Sequence, residues 1–182
     1  MHRPLAGLFL VALAWTGLAY PRWSEAQLPA PEPEVKAAFV YNFIRFAEWP
    51  ASAFPSPGAP IQLCLLGSTD PLLDALANID GKSARGRPVR VQSLSKLKDA
   101  GTCQVLVVGE SEKRKMHVAL ASAAASATLT VSEIDGFAEA GGMIGLVRDI
   151  DRIQFEVNLQ SAQQAGLQLS SQLLKLARRV IR

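Results

Sequence analysis

Apolar residues along this chain follow several different spacings. The first stretch is a continuous apolar run from Leu5 to Ala19, broken only by small or weakly polar residues. Further along, apolar residues recur at helical spacing up to Trp49, and after Pro60 short apolar runs of strand length alternate with helical patterns. Because strands that alternate with helices need crossover connections, this pattern predicts a mostly parallel sheet with helices on both faces.

The helical spacing before Trp49 predicts a first helix from Glu34 to Trp49. Pro33 presets φ at its start, and Pro50 ends it because a residue that precedes proline avoids helical angles. The elements predicted after this helix are strands at Ile61–Leu66, Val89–Leu94, Val105–Val108 and Thr128–Val131, and helices at Pro71–Asn78 and Ser111–Ala125. Open doubly wound sheets place the first strand beside the third, so we expect that order here.

The C-terminal part changes to an antiparallel pattern. Met143–Val147 and Arg152–Leu159 predict a hairpin, since apolar residues in its second strand alternate with polar ones and give that strand one buried face. A short helical turn is predicted at Ser161–Ala165 and a final helix at Ser170–Arg182. The predicted fold class is therefore α/β, as a single three-layer domain with a mostly parallel sheet, helices on both faces and a C-terminal antiparallel hairpin.

The apolar run near the start of the chain has the organisation of a secretory signal peptide. It follows a short positive segment that ends at Arg3, is too short to span a bilayer comfortably, and precedes small residues at Ser24 and Ala26. We predict that residues 1–26 are a signal peptide removed after Ala26, and that residues 27–182 form the mature domain. Cleavage after Ala19 and retention as an uncleaved anchor are the alternatives.

The charge of the predicted mature domain is nearly balanced. The whole chain carries a formal net charge of +3, and the signal peptide takes with it Arg3, Arg22 and Glu25, which leaves +2. A nucleic-acid-binding domain needs a dense basic surface, so this balance argues against DNA or RNA as a partner. No later apolar run reaches the length of a membrane span.

The chain contains two cysteines, Cys64 and Cys103, and both follow the predicted signal peptide. An even number in an oxidising compartment favours a disulfide, which would stabilise the fold by roughly 4 kcal/mol through the entropy of the closed loop. A first strand beside the third would bring the two close together. Two separate buried thiols are the alternative, because Cys64 lies in an apolar run where free cysteine is also common.

Residues for catalysis or metal binding are scarce. The predicted mature domain contains a single histidine, His117, beside Lys113 and Arg114, and neither cysteine has a partner at metal-ligand spacing. A Ser–His–Asp arrangement would have to use His117, and the chain has no G-x-S-x-G motif. We therefore predict no catalytic residues, no metal site and no cofactor.

Glycines that follow two of the predicted strands indicate a candidate ligand-binding site. Neither begins a G-x-G-x-x-G or phosphate-cradling loop, so nucleotide binding has weak support. In a doubly wound sheet, however, the loops after adjacent strands meet in a crevice at the strand ends. The candidate crevice residues are Gly67, Ser68, Thr69, Gly109, Glu110 and Ser111. Plain loop and capping roles are the alternative for all of them.

Basic residues also gather near the end of the chain. Lys175, Arg178, Arg179 and Arg182 would form one face of the predicted final helix. Cations at that end complement the helix dipole, which favours a solvated, capped terminus. A site for an anionic lipid or an acidic partner is the alternative.

Two long motifs and the cysteine positions resemble the YfiR-like family of small secreted bacterial proteins. The motifs are VKAAFVYNFIRFAEWP (Val35–Pro50) and GGMIGLVRDIDRIQFEVNLQSAQQAGLQLSSQLLKLARRV (Gly141–Val180), and the cysteines lie in IQLCLLG and AGTCQVLVVG. The resemblance thus covers nearly all of the predicted mature domain. The family's second cysteine pair, near the hairpin, has no counterpart between Ile134 and Arg152, so redox control through that pair is not implied.

The resemblance implies a periplasmic α/β protein without catalytic activity. It implies that the protein represses a membrane-bound diguanylate cyclase by binding that enzyme's periplasmic domain, and thereby lowers cyclic di-GMP signalling and biofilm formation. It also implies sequestration by an outer-membrane lipoprotein, and a homodimer. A small-ligand binder that uses the strand-end crevice, like one lobe of a solute receptor, and a secreted interaction module without a signalling role are the alternatives.

Two polar surfaces within the resembling motifs are candidates for partner binding. The first is a stripe of the predicted first helix, and the second is the polar face of the hairpin's second strand with the segment that follows it. The candidate partner-binding residues are Tyr41, Arg45 and Glu48 in the first surface, and Gln154, Glu156, Asn158, Gln168, Ser170 and Ser171 in the second. Arg45 and Glu48 are also spaced as a simple surface ion pair.

Overall fold

The computed structural model describes residues 30–67, 71–124, 126–150 and 152–182. The predicted signal peptide and two of the predicted crevice residues, Ser68 and Thr69, lie outside the described residues. The helices are α1 (Glu32–Phe46), α2 (Pro71–Ala77), α3 (Met116–Ala124), α4 (Leu159–Gln164) and α5 (Ser171–Leu176). The strands are β1 (Ala47–Glu48), β2 (Ile61–Leu66), β3 (Ser83–Ala84), β4 (Arg87–Leu94), β5 (Val105–Val108), β6 (Leu129–Ser132), β7 (Ile144–Asp149), β8 (Arg152–Asn158), β9 (Gln168–Leu169) and β10 (Arg179–Ile181).

Within the described residues, eight strands form one mixed sheet in the order β10-β8-β7-β6-β5-β2-β4-β3. Neighbours from β4 through β2, β5 and β6 to β7 are parallel, β7 and β8 form the antiparallel hairpin, and β10 runs parallel to β8. The first predicted strand corresponds to β2 and the third to β5. Their predicted pairing is confirmed, because β2 and β5 are hydrogen-bonded neighbours. The predicted α/β fold class, with its parallel sheet and C-terminal hairpin, is confirmed as well.

Helix α1 covers one face of the sheet. Glu32 and Glu34 lie in its first turn, where anions complement the helix dipole. Its buried side includes Val40, Phe43 and Ile44, which join the apolar residues of that sheet face in one core cluster. Phe43 packs edge-to-face on Phe155 of β8 with ring centroids 5.0 Å apart. This contact anchors α1 to β8.

The opposite face of the sheet forms a second core cluster. Cys64 of β2 and Leu106 of β5 point to this side, and Met116 and Ala119 of α3 cover it together with Phe137. Successive residues of a strand point to opposite faces, so the nearly unbroken apolar run of β2 serves both clusters. The sequence pattern of β2 therefore follows from its burial on two sides.

A disulfide joins Cys64 to Cys103 within this second cluster. Their Cα atoms lie 6.0 Å apart, and both residues are buried. Cys103 follows a 3-10 segment, Leu97–Thr102, which leads from β4 toward β5. The bond thereby ties the β4–β5 connection to β2, an interior strand of the sheet.

The predicted final helix over Ser170–Arg182 is wrong beyond Leu176. Helix α5 ends there, the chain becomes extended at Ala177, and β10 pairs with β8. The segment has helix-forming leucines and lysine, but the outer edge of β8 offers unpaired backbone groups, and β-branched Val180 fits a strand. Pairing with β8 therefore outweighs local helix propensity.

Two predicted helices have different boundaries in the structure. Helix α1 ends at Phe46 and not at Trp49, because Ala47 and Glu48 pair with β9 in a separate two-stranded sheet. The helix predicted from Ser111 begins as a 3-10 segment, Glu110–Lys115, and becomes α-helical only at Met116, where buried residues start. Within the described residues, no helix is both long and apolar enough to cross a membrane.

We expect the double variant Cys64→Ala/Cys103→Ala to lose about 4 kcal/mol in its free energy of unfolding. The disulfide closes a loop with a sequence separation of 39, and its removal gives that entropy back to the unfolded chain. Urea unfolding of the mature protein, followed by tryptophan fluorescence, measures the loss. A reductant should weaken the wild type by a similar amount and leave the double variant unchanged; a wild type indifferent to reductant contradicts the prediction.

Candidate partner-binding surfaces

The first predicted surface lies where α1 meets the β3–β4 hairpin. The Tyr41 hydroxyl donates to the Ser83 carbonyl oxygen at 2.8 Å, and Glu48 forms an ion pair with Arg85. Glu48 therefore pairs across the fold and not with Arg45, whose Nη1 lies 3.4 Å from Asn42 Oδ1. We call Tyr41, Arg45, Glu48 and Arg85 the α1 surface.

Sequence reasoning did not single out Arg85, although a local signal exists. Arg85 and Gly86 both have positive φ, of 54° and 74°, and connect β3 to β4 as a two-residue hairpin turn. Turns of this type match the twist of the strands, and glycine in their second position is the usual sequence mark. The turn carries the Arg85 side chain beyond the sheet edge to Glu48.

The second predicted surface is divided by the fold, and one part joins the α1 surface. Gln168 of β9 is the register partner of Glu48, so these two candidates lie side by side. Ser170 donates its N–H to the Phe46 carbonyl oxygen at 3.0 Å, and its Oγ caps α5 by accepting from Leu173 N–H at 3.2 Å. Ser171 is exposed next to this cap. Ser170 thus positions the surface, and Gln168 and Ser171 extend it.

The other part of the second surface lies on β8, on the sheet face opposite α1. Glu156 accepts a hydrogen bond from Arg179 Nη2 at 2.9 Å, and the same nitrogen lies 2.6 Å from Glu139 Oε1. Both hydrogen bonds raise the pKa of Arg179 above its usual value, and the bond to Glu156 has the larger effect. Gln154 lies on the same face of β8, half-buried. We call Gln154, Glu156 and Arg179 the β8 surface.

Asn158 differs from the other candidates because it is buried. Its Nδ2 donates to the Ala138 carbonyl oxygen at 2.8 Å, and its Oδ1 accepts from Ser161 N–H at 2.9 Å. The second bond caps the start of α4, and the first ties β8 to the segment that covers the sheet. Both ends of the amide are therefore engaged within the chain.

A pocket of about 330 Å³ lies beside Glu48 and Arg85. Trp49 and Phe54 line it together with Arg87, whose guanidinium lies 3.7 Å from the centroid of the Phe54 ring. Arg87 also donates to the Ala59 carbonyl oxygen at 2.6 Å, so its stacked position is fixed from both sides. This pocket gives the α1 surface an aromatic floor, a feature associated with recognition sites.

Gly67 and Gly109, two of the predicted crevice residues, directly follow β2 and β5 at the carboxyl ends of these strands. Gly67 has φ +124°, and a Cβ there would lie 2.9 Å from Ser111 Oγ, so glycine lets the two loops approach. Glu110 and Ser111 line a cavity of about 380 Å³, which adjoins a second cavity of about 320 Å³. Gly109 precedes these residues and is buried.

Charged side chains from distant parts of the chain line both cavities. Lys36 lies 2.7 Å from Glu32 and also contacts Glu133, while Arg148 forms an ion pair with Glu32. Glu110 lines both cavities and Asp135 lines the second, and neither carboxylate has an ion-pair partner among the described residues. No local motif marks these residues, because the fold assembles them from four separate segments. The same described residues contain no group of three or more metal-ligating side chains placed to hold a metal ion.

We expect Asn158→Ala to lower the free energy of unfolding by about 1 to 3 kcal/mol, since it removes a helix cap and one of the two hydrogen bonds to the buried Ala138 carbonyl oxygen. Gln154→Ala, on the same strand and face, is the matched control and should stay within about 0.5 kcal/mol of the wild type. Chemical denaturation of both variants measures the difference. Equal stability of the two variants would contradict the structural role assigned to Asn158.

Comparison with a solved structure agrees with the fold. The chain aligns with the crystal structure of a conserved domain protein from Vibrio cholerae O1 biovar El Tor at a TM-score of 0.59 and 11% identity, covering 82% of this chain and 60% of that one. The chain thus spans about 60% of the length of that protein. It also aligns with an ABC domain from Streptococcus pneumoniae solved in complex with L-Trp, at a TM-score of 0.49 and 14% identity, covering 66% of this chain and 55% of that one.

Comparison with family models gives a more specific result. The YfiR/HmsC-like model matches residues 33–178, a range that contains both core clusters, the disulfide, the α1 surface and Gln154 and Glu156 of the β8 surface. This match agrees with the resemblance drawn from the motifs at Val35–Pro50 and Gly141–Val180. The chain belongs to the YfiR/HmsC-like family.

Proposed function

We propose that this protein is a periplasmic regulator that binds the periplasmic domain of a membrane-bound diguanylate cyclase and represses the enzyme. The observation that carries the proposal is the family match over residues 33–178, which supports a role in diguanylate cyclase signalling. Binding alone is sufficient for such a role. A protein that binds the inactive state of its target more tightly than the active state shifts the target toward inactivity.

The surfaces of the fold suit protein recognition. The α1 surface combines a fixed aromatic pocket with charged side chains at its rim, and Gln168 and Ser171 extend it with exposed polar groups. Aromatic and arginine side chains in such a setting are typical anchors of protein interfaces. The core beneath α1 holds this surface in place before binding, which reduces the entropic cost of association.

The remaining partner proposals rest on the family resemblance. We propose that the protein acts as a homodimer and that an outer-membrane lipoprotein sequesters it, which would release the cyclase. Competition between two partners for one regulator requires only that their binding exclude each other. The predicted signal peptide supplies the route by which the protein would reach the periplasm.

We expect deletion of the gene to raise cellular cyclic di-GMP, and re-expression of the wild type to restore the lower level. Re-expression of Arg45→Glu should restore it only in part, because charge reversal at an exposed position of the α1 surface disturbs an interface without disturbing the core. Lys113→Glu, an exposed charge reversal outside that surface, is the matched control and should restore it fully. Cyclic di-GMP that is unchanged by the deletion would contradict the proposed function.

The cavities at the strand ends favour a second candidate function, the binding of a small cationic ligand. Together they are large enough for a small molecule, and Glu110 and Asp135 contribute carboxylates without an ion-pair partner among the described residues. An ammonium group would pair with these carboxylates. The positively charged Lys36 and Arg148 are already occupied by Glu32 and Glu133.

Isothermal titration of the mature protein with a linear diamine tests this second candidate. We expect measurable binding that weakens about tenfold in Glu110→Gln/Asp135→Asn, which removes both free carboxylates. Glu34→Gln, an exposed carboxylate on α1 that does not line the cavities, is the control and should bind as the wild type does. Equal affinity of all three proteins would contradict a site at the strand ends.

A further inference from the structure

Strand β10 ends the main sheet, and its outer edge has no strand partner among the described residues. It pairs with β8 on one side only, through Arg179, Val180 and Ile181. A strand in this position presents a row of unpaired backbone N–H and C=O groups to its surroundings. Such a row is a template for one more strand.

Contacts with β8 and with Glu139 hold β10 in position. Arg178 donates its N–H to the Phe155 carbonyl oxygen at 2.8 Å, next to the ladder between β10 and β8. Arg179 is clamped between Glu156 and Glu139, as described for the β8 surface. A short strand with these additional contacts keeps its edge in position, so an incoming strand meets a preformed template.

Cations without partners surround this edge. Arg178 and Arg182 are exposed and form no ion pair with any described residue, whereas Arg179 is the cation that Glu139 and Glu156 neutralise. Arg178 and Arg182 lie at the two ends of β10, four positions apart, or about 13 Å along an extended chain. The edge therefore combines unpaired backbone groups with positive charge at both ends.

The positive charge of Arg178 and Arg182 determines which kind of strand can pair with this edge. Antiparallel pairing of β10 with the same strand of a second copy, centred on Val180, would place Arg178 opposite Arg182 at both ends. Like charges directly opposite each other destabilise a strand pair, so the edge disfavours self-association. An extended segment with acidic residues spaced to meet these arginines gains both backbone hydrogen bonds and ion pairs.

A cavity of about 230 Å³ beside the strand limits where acidic side chains of an incoming segment can bind. Arg178 and Arg179 line it, but so do Asp135, Glu139 and Glu156. The cavity is thus no site for further acidic side chains. The acidic residues of an incoming segment belong at the ends of the edge, beside Arg178 and Arg182.

We propose that the outer edge of β10 binds an extended, acidic segment of a protein partner by adding it to the sheet as a further strand. Where that partner is the signalling protein, the inference rests on the proposed function and specifies how recognition occurs. It also gives Arg178 and Arg182 a role that the expected helix dipole does not explain, because these two residues flank a strand and not a helix.

The binding experiment uses purified mature protein and a fluorescently labelled peptide, Glu-Thr-Val-Thr-Glu, whose acidic residues have the spacing of Arg178 and Arg182. We expect fluorescence anisotropy to show binding that Arg178→Glu/Arg182→Glu weakens at least about tenfold. Lys113→Glu/Arg114→Glu makes the same change in net charge elsewhere on the surface and should keep the wild-type affinity. Equal loss in both double variants, or no binding by the wild type, overturns the inference.

Two further peptides separate strand addition from simple charge attraction. Glu-Thr-Pro-Thr-Glu keeps the charges but lacks a central N–H and should bind at least about fivefold more weakly, because proline cannot complete a strand ladder. Lys-Thr-Val-Thr-Lys keeps the N–H and reverses the charge, and should not bind. If the proline peptide binds as well as the first peptide, no strand is added and the inference fails. Thermal unfolding of each variant verifies that it is folded.

A measurement in cells separates failure of this inference from failure of the proposed function. If deletion raises cyclic di-GMP, we expect Arg178→Glu/Arg182→Glu not to restore the lower level, while Lys113→Glu/Arg114→Glu restores it. Full restoration by the first variant overturns the edge as the site of recognition by the cyclase and leaves the regulatory function standing. Cyclic di-GMP that does not respond to deletion overturns the regulatory function, and peptide binding then decides the edge by itself.

Discussion

The aromatic contact between α1 and β8 fixes the geometry on which the candidate sites depend. Phe43 and Phe39 both pack on Phe155, with ring centroids 5.0 Å and 5.8 Å away. Edge-to-face contacts of this kind add about 0.5 to 1.5 kcal/mol to what burial of the rings contributes. The start of the same helix carries Glu32 and Lys36 into the strand-end cavities, and its last turns carry Tyr41 toward β3. A shift of α1 on the sheet would therefore move the cavities and the α1 surface together.

Strand β8 links the core to recognition through the alternation of its side chains. Phe155 and Val157 point into the core beneath α1, while Gln154 and Glu156 point to the opposite face. Glu156 then holds Arg179 of β10, and Asn158 caps α4 at the end of the strand. Each polar residue of β8 is thus a direct neighbour of a core residue, which keeps the β8 surface rigid without a separate scaffold.

The distribution of ion pairs distinguishes structural charges from charges left for recognition. Arg85, Arg179 and Lys36 each neutralise carboxylates from distant parts of the chain and so join separate elements. Arg178 and Arg182 are exposed without such partners among the described residues. Exposed ion pairs contribute little to stability, so unpaired arginines cost the fold little and remain free to attract an acidic partner.

Local burial patterns along the chain are enough to predict most of the helices and strands, whereas only their packing fixes where these elements meet. The unbroken apolar run of β2 and the alternation of β8 predicted both strands, because the side-chain period of a strand is visible in a few residues. The last segment was predicted as a helix because its apolar spacing suits a helix, and only the open edge of β8 made Arg179–Ile181 a strand. Lys36 and Glu133 are separated by 97 positions in the chain, so no local pattern marks the cavity that they line. Contacts of this kind depend on how the helices and strands pack, and that packing is decided by the burial of the whole sheet and not by any one segment.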